Sequence, residues 1–428
     1  MRKDWIEIEI PEIISEEGLF SDGDWVESKD QDPYGEVRLI QLADIGDGEF
    51  LDKSNRRLSY SKSIELNCTY LQKGDLLLAR MPKPLGRASI FPLIGEKKYV
   101  TVVDVAIIRT ADKNIEGKYL LYVINSPNSR KKIEALQSGT TRKRISKKNL
   151  SKIKFPLPPL PEQKAIVAKI EQLFSDLDNG IANLKKAQDQ LKIYRQAVLK
   201  KAFEGKLTKD FKLWRKQTLR DIFKINSGNG LTKANRDDNG DYLVYGGNGI
   251  TGKHSEFMFE EPKLIIGRVG AHCGNTHITK SKSWVTDNAF VVTFDEQNNI
   301  MLFFYYLIKY LNLNQYAGST AQPVISGTKV YPVTCNIPNK AIQENVVQEI
   351  ESRLSVCDNV EANIKEALKK SESLRQSILK KAFEGKLLTN AELEEVRNDP
   401  EWEPAEKLLE RIQAEKAKQK KQKQRKNK

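Results

Sequence analysis

Histidine is scarce, cysteine is scattered and long apolar runs are missing, and each absence excludes a class of protein. Three histidines in 428 residues leave little for imidazole-based acid–base or metal chemistry. Cys68, Cys273, Cys335 and Cys357 lie far apart, with neither the density of a disulfide scaffold nor the spacing of a zinc pair, which predicts a reducing cytoplasm. No apolar stretch approaches the roughly 20 residues of a membrane span. The Met-Arg-Lys-Asp-Trp start lacks a secretory leader's apolar core, so no membrane association is expected. No carboxylate cluster or Ser-His pairing stands out either. Net charge is +14, but Lys416 to Lys428 carries eight Lys/Arg and no acid; the other residues sum to only +6, so the isoelectric point alone is weak support for nucleic-acid binding.

What the chain does have is a long helical stretch written twice. Lys200-Lys201-Ala202-Phe203-Glu204-Gly205-Lys206-Leu207 recurs 180 residues later as Lys380-Lys381-Ala382-Phe383-Glu384-Gly385-Lys386-Leu387. The offset holds back through Arg195/Arg375, Asp178/Asp358, Ile170/Ile350 and Gln163/Gln343. In the first copy Ile170, Leu177, Leu184, Leu191 and Val198 recur every seven residues. Leu173, Ala187 and Tyr194 form a second series three positions later, with Gly180 as its gap. The second copy supplies Ile350, Cys357, Ile364 and Ile378, with Val360, Ala367 and Leu374. Such a repeat draws one apolar seam along a helix and asks for a partner. Pro161 suits a first turn, and Gly205 and Gly385 suit a stop. Each rod would be roughly 60 Å long. A core helix of an ordinary bundle is the plainer reading, but two matched rods can satisfy each other.

The segments before the rods read as mixed α/β and diverged from one another. Leu39–Leu42, Asp75–Arg80 and Val102–Ile108 are short apolar runs in the first, and Tyr119–Ile124 is either a helix or a strand. Arg130 to Lys154 holds ten Lys/Arg and one acid. Phe155–Pro161 is a stiff connector that cannot be helical until its last proline. In the second segment Leu264–Arg268 echoes the run ending at Arg80, Val285–Val292 echoes Val103–Ala106, and Phe303–Leu311 is a helix. Thr320 and Ile325-Ser326 sit 180 residues after Thr140 and Ile145-Ser146. The boundaries are therefore 1–158, 159–210 (first rod), 211–338, 339–390 (second rod) and 391–428, a charged helical stretch followed by a disordered lysine tail.

Three motifs mimic catalysis. Gly247–Gly252 fits a dinucleotide pattern and Gly247–Lys253 nearly fits a P-loop, but His254 stands where the magnesium-binding hydroxyl belongs. The short, proline-stopped stretch after it cannot offer a helix N-terminus to phosphate; a glycine-rich turn between strands accounts for it better. Asp32-Pro33-Tyr34 resembles an adenine-methyltransferase loop but lacks one proline and any upstream glycine-rich cofactor loop. His272, Cys273 and His277 lie on one loop without a fourth ligand, so a zinc site is not assigned.

Two diverged domains, two matched rods and basic stretches without chemistry resemble the specificity subunit of type I restriction-modification systems. Pro158-Pro159-Leu160-Pro161-Glu162-Gln163-Lys164, the doubled Lys-Lys-Ala-Phe-Glu-Gly-Lys-Leu, Tyr245–Ile250 and Glu403–Ile412 carry the likeness, which covers nearly the whole chain. The second rod's entry, Ile337–Gln343, departs from the family pattern by lacking the Pro-Glu pair. The resemblance implies an α+β chain: two mixed α/β target-recognition domains, separated by two long antiparallel coiled-coil helices in an internal pseudo-two-fold repeat. It implies a double-stranded DNA partner with a bipartite site, one half read by each domain. Two methyltransferase subunits and restriction subunits would dock on the chain for adenine N6 methylation or ATP-dependent cleavage. No cofactor is then bound by this chain; S-adenosylmethionine, ATP and Mg²⁺ belong to the partners, and no catalytic residue or metal ligand is assigned here.

Base edges are read by Arg, Lys, Asn or Gln, while phosphate contacts set register. The DNA-binding candidates are Arg80, Lys83, Arg87, Arg142, Lys143, Arg144, Lys147 and Lys148 in the first domain, and Lys233, Arg236, Arg268, Lys280 and Lys282 in the second. The cluster from Arg142 to Lys148 stands out because two basic runs there flank Gly139-Thr140-Thr141 shortly before the rod. Two rival readings stay open: a stand-alone DNA methyltransferase or nucleotide hydrolase with an atypical site, and a coiled-coil scaffold with no DNA role.

Overall fold

The structure is a computed structural model that describes the chain except residues 1, 16, 83, 93, 94, 96, 97, 111–114, 140–142, 209, 210, 238, 319–322, 427 and 428, and except the side chains of residues 233 and 419–426. It divides into two compact units, Met1–Ala182 with Leu368–Lys428, and Asn183–Ala367.

In the first unit β1 (Ile6–Glu9), β2 (Leu19–Asp22), β3 (Val37–Ile40) and β4 (Arg57–Leu58) precede α1 (Tyr60–Glu65). Then come β5 (Leu76–Ala79), β6 (Ala88–Ile90), β7 (Lys98–Thr101) and β8 (Val105–Arg109), followed by α2 (Gly117–Asn125), α3 (Pro127–Ala135), α4 (Lys147–Leu150) and β9 (Lys154–Leu157). A four-stranded antiparallel sheet has the order β2-β8-β5-β6. A three-stranded sheet, β4-β3-β7, joins β3 to β7 in parallel, and β1 pairs with β9. The short runs are apolar throughout because the four-stranded sheet is covered on both faces. Leu76, Leu78, Ala106 and Ile108 face one core with α2, whereas Leu77, Ala79, Val105 and Ile107 face another with Tyr99 and Phe91. Side chains alternate across a strand, so each run feeds two cores.

The long helix α5 (Leu160–Phe203) leads to the second segment: β10 (Arg215–Thr218), α6 (Leu219–Ile222), β11 (Phe223–Ser227), β12 (Tyr242–Gly246), β13 (Gly249–His254), β14 (Leu264–Gly267), β15 (Thr276–Ile278), β16 (Ser283–Val285), β17 (Ala289–Phe294), α7 (Met301–Leu311), α8 (Gly327–Val330) and β18 (Thr334–Ile337). Its sheets repeat the first unit strand for strand: β11-β17-β14-β15 antiparallel, β13-β12-β16 with a parallel β12/β16 pair, and β10 with β18. The core rule repeats too, Leu264 and Ile266 facing one cluster and Ile265 the other.

The second long helix, α9 (Lys340–Phe383), matches α5 residue for residue in length. In the first unit Ile166, Val167 and Ile170 of α5 share a core with Ile378, Leu379, Ala382 and Phe383 of α9. In the second, Val198, Ala202 and Phe203 share one with Ile342, Val346, Val347 and Ile350. Start meets end in both, so the helices run antiparallel. Two ion pairs related by the 180-residue offset mark the register: Arg375 with Asp178 in one unit, and Arg195 Nη1 with Asp358 Oδ1 at 2.7 Å in the other.

Helix entry and exit are also duplicated. Buried Gln163 donates through Nε2 to Pro158 O and accepts from Glu116 N, both at 3.0 Å. Gln343 donates to Pro338 O and accepts from Ile300 N, again at 3.0 Å. Each glutamine thus ties the start of a long helix to the start of the helix packed beside it. At the exits Gly205 and Gly385 take φ of +71° and +72°, and Lys206 N and Lys386 N each reach back five residues to a lysine carbonyl at 2.8 Å. That is a left-handed glycine stop.

Four expectations are corrected. Of the seam residues, Ile170, Val198, Ile350, Cys357, Ile364 and Ile378 are buried, and Leu177, Leu184 and Leu191 are half-buried. Leu374, Val360 and Tyr194, however, are exposed. Leu173, Ala187 and Ala367 of the three-residue series are half-buried, but so are Phe174, Ile181, Gln188 and Arg195, and Leu354, Leu368 and Arg375, four residues after the first row, with Glu361 exposed among them. An unbroken α-helix advances 3.6 residues per turn, so either offset is open, and the partner's position selects between them at each turn. Second, the proline-rich connector begins as a strand: Pro156 lies opposite Glu7 in the two-stranded β1/β9 ribbon, where a missing N–H can be spared. Third, Val102–Ile108 is broken by the turn between β7 and β8. Fourth, the charged stretch forms α10 (Asn390–Arg397) and α11 (Ala405–Lys426), so the lysine run is helical to 426. Ala405, Leu408 and Ile412, on one helical face, are buried, and the last two join the first unit's core.

Candidate nucleic-acid interface

The cationic candidates separate by what their side chains already bond. Arg80 is 2% exposed; its Nε donates to Ile145 O and its Nη1 to Val103 O, both at 2.9 Å, and Asp22 pairs with it at 2.5 Å. Burial holds its pKa below the usual arginine value, Asp22 opposing. Arg87 donates to Ile45 O at 2.6 Å, Leu42 O at 2.7 Å and Pro84 O at 2.9 Å. Both guanidiniums staple loops together. Lys83 and Arg142 lie outside the described residues, as does the side chain of Lys233.

Lys143, Arg144, Lys147 and Lys148 are exposed. The Arg144 backbone exchanges bonds of 2.8 and 2.9 Å with that of Ser138. Lys147 and Lys148 occupy α4, whose N-cap is Ser146, and Lys147 Nζ lies 5.8 Å from the Phe20 ring centroid. Folding therefore concentrates four charges in one place beside the Arg80 corner.

In the second unit the cations are divided. Lys280 and Lys282 are exposed on the β15–β16 turn next to the start of β14, where Thr279 N donates to Lys263 O at 2.8 Å. Lys282 holds φ of +51°. Arg268 follows the opposite end of β14, its guanidinium carbon 5.3 Å from the Phe290 ring centroid and its Nη1 3.4 Å from Ser227 Oγ. Arg236 Nη1 donates to Thr251 O at 2.8 Å.

Arg80 and Arg268 occupy the same place in their domains. Arg80 N donates to Asp104 O and Arg268 N to Asn288 O, at 2.8 and 2.9 Å; Ile145 N and Ile325 N donate back to the arginine carbonyls at 3.0 and 2.9 Å. Asp24 N and Asn229 N reach Thr101 O and Val285 O at 2.7 and 2.9 Å. The backbone is shared while the side chains differ. Asp22 neutralises Arg80 in one domain; Ser227 stands at that place in the other and leaves Arg268 half-exposed, its Nε buried without a partner among the described residues. Around the Arg80 corner lies a cavity of about 390 Å³ with Trp25, Leu42, Ala43, Val103 and Asp104 on its wall. A search for cations alone missed Trp25, Asn229, Asn248 and Asn288. Of these only Asn288 lies in a stretch, Val285–Val292, that the internal echo had marked.

The catalytic look-alikes take structural places. Gly247-Asn248 is the tip of the β12–β13 hairpin, not a strand-to-helix turn. Cys273 Sγ donates to Asn314 Oδ1 at 3.3 Å. Among the described residues no three His, Cys, Asp or Glu are grouped to hold a metal ion, and no helix is long and apolar enough to cross a membrane.

Comparison with known proteins bears on this arrangement. The chain is 25% identical over 339 residues to the StySPI type I restriction enzyme specificity subunit of Salmonella potsdam, covering 72% of this chain and 73% of that protein. It is 25% identical over 353 residues to the EcoKI specificity subunit of Escherichia coli K12, covering 72% and 73%. In fold it is similar to a chain from a structural study of complex assembly and conformational transition of the type I R-M system (TM-score 0.69, 18% identity, 90% of this chain and 99% of that one). It is likewise similar to the HsdS subunit from Thermoanaerobacter tengcongensis (TM-score 0.60, 17% identity, 90% and 98%). The family model for the type I restriction modification DNA specificity domain matches residues 3–186 and 212–370. With both sheet domains and most of both long helices inside those limits, the chain belongs to the family of type I restriction-modification DNA specificity subunits.

Proposed function

We propose that this chain reads a bipartite duplex site, each sheet domain taking one half, with α5 and α9 as the spacer that sets the distance between the halves. Residues 1–158 and 211–338 are the readers in this scheme, 159–210 and 339–390 the spacer, and 391–428 an appendage. The reading rests on one observation above all: the same strand order occurs twice, each time followed by a helix of 44 residues. A helix of that length is about 66 Å long, enough to bridge one or two duplex turns of roughly 34–36 Å. The chain performs no reaction itself. Two methyltransferase subunits, and restriction subunits with them, dock on it in the cytoplasm and bring S-adenosylmethionine, ATP and Mg²⁺ for adenine N6 methylation or cleavage.

Removing one heptad from each long helix tests the spacer. Seven residues are about 10 Å, or roughly three base pairs at 3.4 Å each. Binding selected from duplexes of varied gap should shift to a shorter gap with both half-site sequences unchanged. An unaltered gap preference would sink the spacer role.

A further inference from the structure

We infer that the corner where β5 or β14 ends against the β7–β8 or β16–β17 turn is the base-reading edge of each domain, and that the two corners take different base chemistry. The inference rests on the reading of a bipartite duplex and assigns residues to it.

The corners share their backbone bonds, so the side chains they present are substituted on a fixed scaffold. Rigid support of that kind is what base discrimination requires. In the second domain the backbone segments that carry Arg268, Asn229 and Asn248 meet at the turn at Asp287-Asn288. Arg268 N and Gly228 N bond the carbonyls of Asn288 and Ala289 at 2.9 and 3.1 Å. Asn229 follows Gly228, and a Cβ placed on Gly247 would lie 3.0 Å from Asn288 O, which brings the hairpin tip carrying Asn248 alongside. Asn229, Asn248 and Asn288 are exposed. The Arg268 guanidinium carbon lies 5.3 Å from the Phe290 ring centroid, and its Nη1 makes a 3.4 Å contact with Ser227 Oγ. Guanidinium and carboxamide forks match the major-groove edges of guanine and adenine; this corner takes a purine.

The first domain offers the opposite at the same place. Its arginine is spent on Asp22 and two carbonyls. The cavity wall there joins the apolar Trp25, Leu42, Ala43 and Val103 to the carboxyl groups of Asp24, Glu27 and Asp104 and the carboxamide of Gln41. Apolar contact suits the thymine methyl group and a carboxylate suits the cytosine amine; this corner takes a pyrimidine edge. Lys143, Arg144, Lys147 and Lys148 beside it supply phosphate contacts, which orient without discriminating.

The test is selection from duplexes randomised in both half-sites, using the full chain assembled with methyltransferase subunits. Arg268→Ala and Asn288→Ala should each lower discrimination by roughly 5- to 150-fold at one base pair of one half-site, and Trp25→Ala should act only in the other. Lys148→Ala should weaken all sequences alike. Asn288 and Trp25 are exposed, so loss of fold is not expected to mask the outcome, and melting curves of the variants check it. If Arg268→Ala lowers affinity uniformly, it is a phosphate contact and the assignment is overturned. Base preferences unmoved by all three would also overturn it. Absence of any sequence selection by the unaltered complex would instead bring down the bipartite reading itself.

Discussion

Single residues carry the duplication further than the seam does. Gln163 and Gln343 each satisfy a proline carbonyl and a helix-starting N–H inside the fold. Gln343→Leu leaves the part-buried Ile300 N and the buried Pro338 O without those partners, and each such buried group costs about 1–3 kcal/mol. Chemical unfolding should show a loss of roughly 2–4 kcal/mol, and a loss below about 0.5 would refute the clamp. Gly205 faces a second constraint besides its positive φ, since an added Cβ would fall 1.9 Å from Phe211 Cδ2. Gly205→Ala should therefore cost more than the roughly 1 kcal/mol of a left-handed alanine, read from the same unfolding curves. Asp24 gives a pH signature. Burial pushes its carboxyl up to about 6, against bonds from Thr69 and Cys68. The folded chain then keeps a proton that the unfolded chain releases above its ordinary value of ~3.9. This group's contribution to stability is greatest at low pH, falls as pH rises through that window and is lost above about 6. Relative to the parent, Asp24→Asn should gain melting temperature between about pH 4 and 6; a constant difference across that range would refute the burial effect.

At the level of elements, the seam register separates residues that look alike in the sequence. Leu374 and Ile378 are both apolar and both on α9, yet one is 50% exposed and the other 7%. Leu374→Gln should change stability by less than ~0.5 kcal/mol. Ile378→Ala should cost about 2–5 kcal/mol. Equal effects would place Leu374 in the seam. The period and the stops were legible in the sequence because heptads and Lys-Lys-Ala-Phe-Glu-Gly-Lys-Leu are local signals. The second row was not, since its choice depends on where a helix some 180 residues away lies. The same limit governs the arginines. Arg80 and Arg268 each end an apolar run and look alike there; Asp22 and Ser227, far off in sequence, decide which guanidinium is quenched. Strand existence was readable from apolar runs, while the β7–β8 turn was hidden because Val102 to Ile108 stays apolar through it apart from Asp104.

For the molecule as a whole, charge and sequence reading come apart. Replacing Lys143, Arg144, Lys147 and Lys148 with alanine should lower affinity for any duplex and flatten its dependence on salt. Each lost phosphate contact changes the slope of log K against log [salt] by about 0.9. Base preference should survive, and a changed preference would show that these side chains reach the bases.

One feature of the chain's division constrains how it is made. The second unit is continuous, Asn183–Ala367, whereas the first is completed only by Leu368–Lys428. A ribosome delivering the chain from its amino end supplies Ile170 well before Ile378, Phe383 and Leu408, which close the same core. The unit that starts first must finish last, holding unclosed apolar surface while its neighbour is synthesised and folds. Nascent chains stopped shortly after residue 367 should thus resist protease across the second unit and remain open to it in the first.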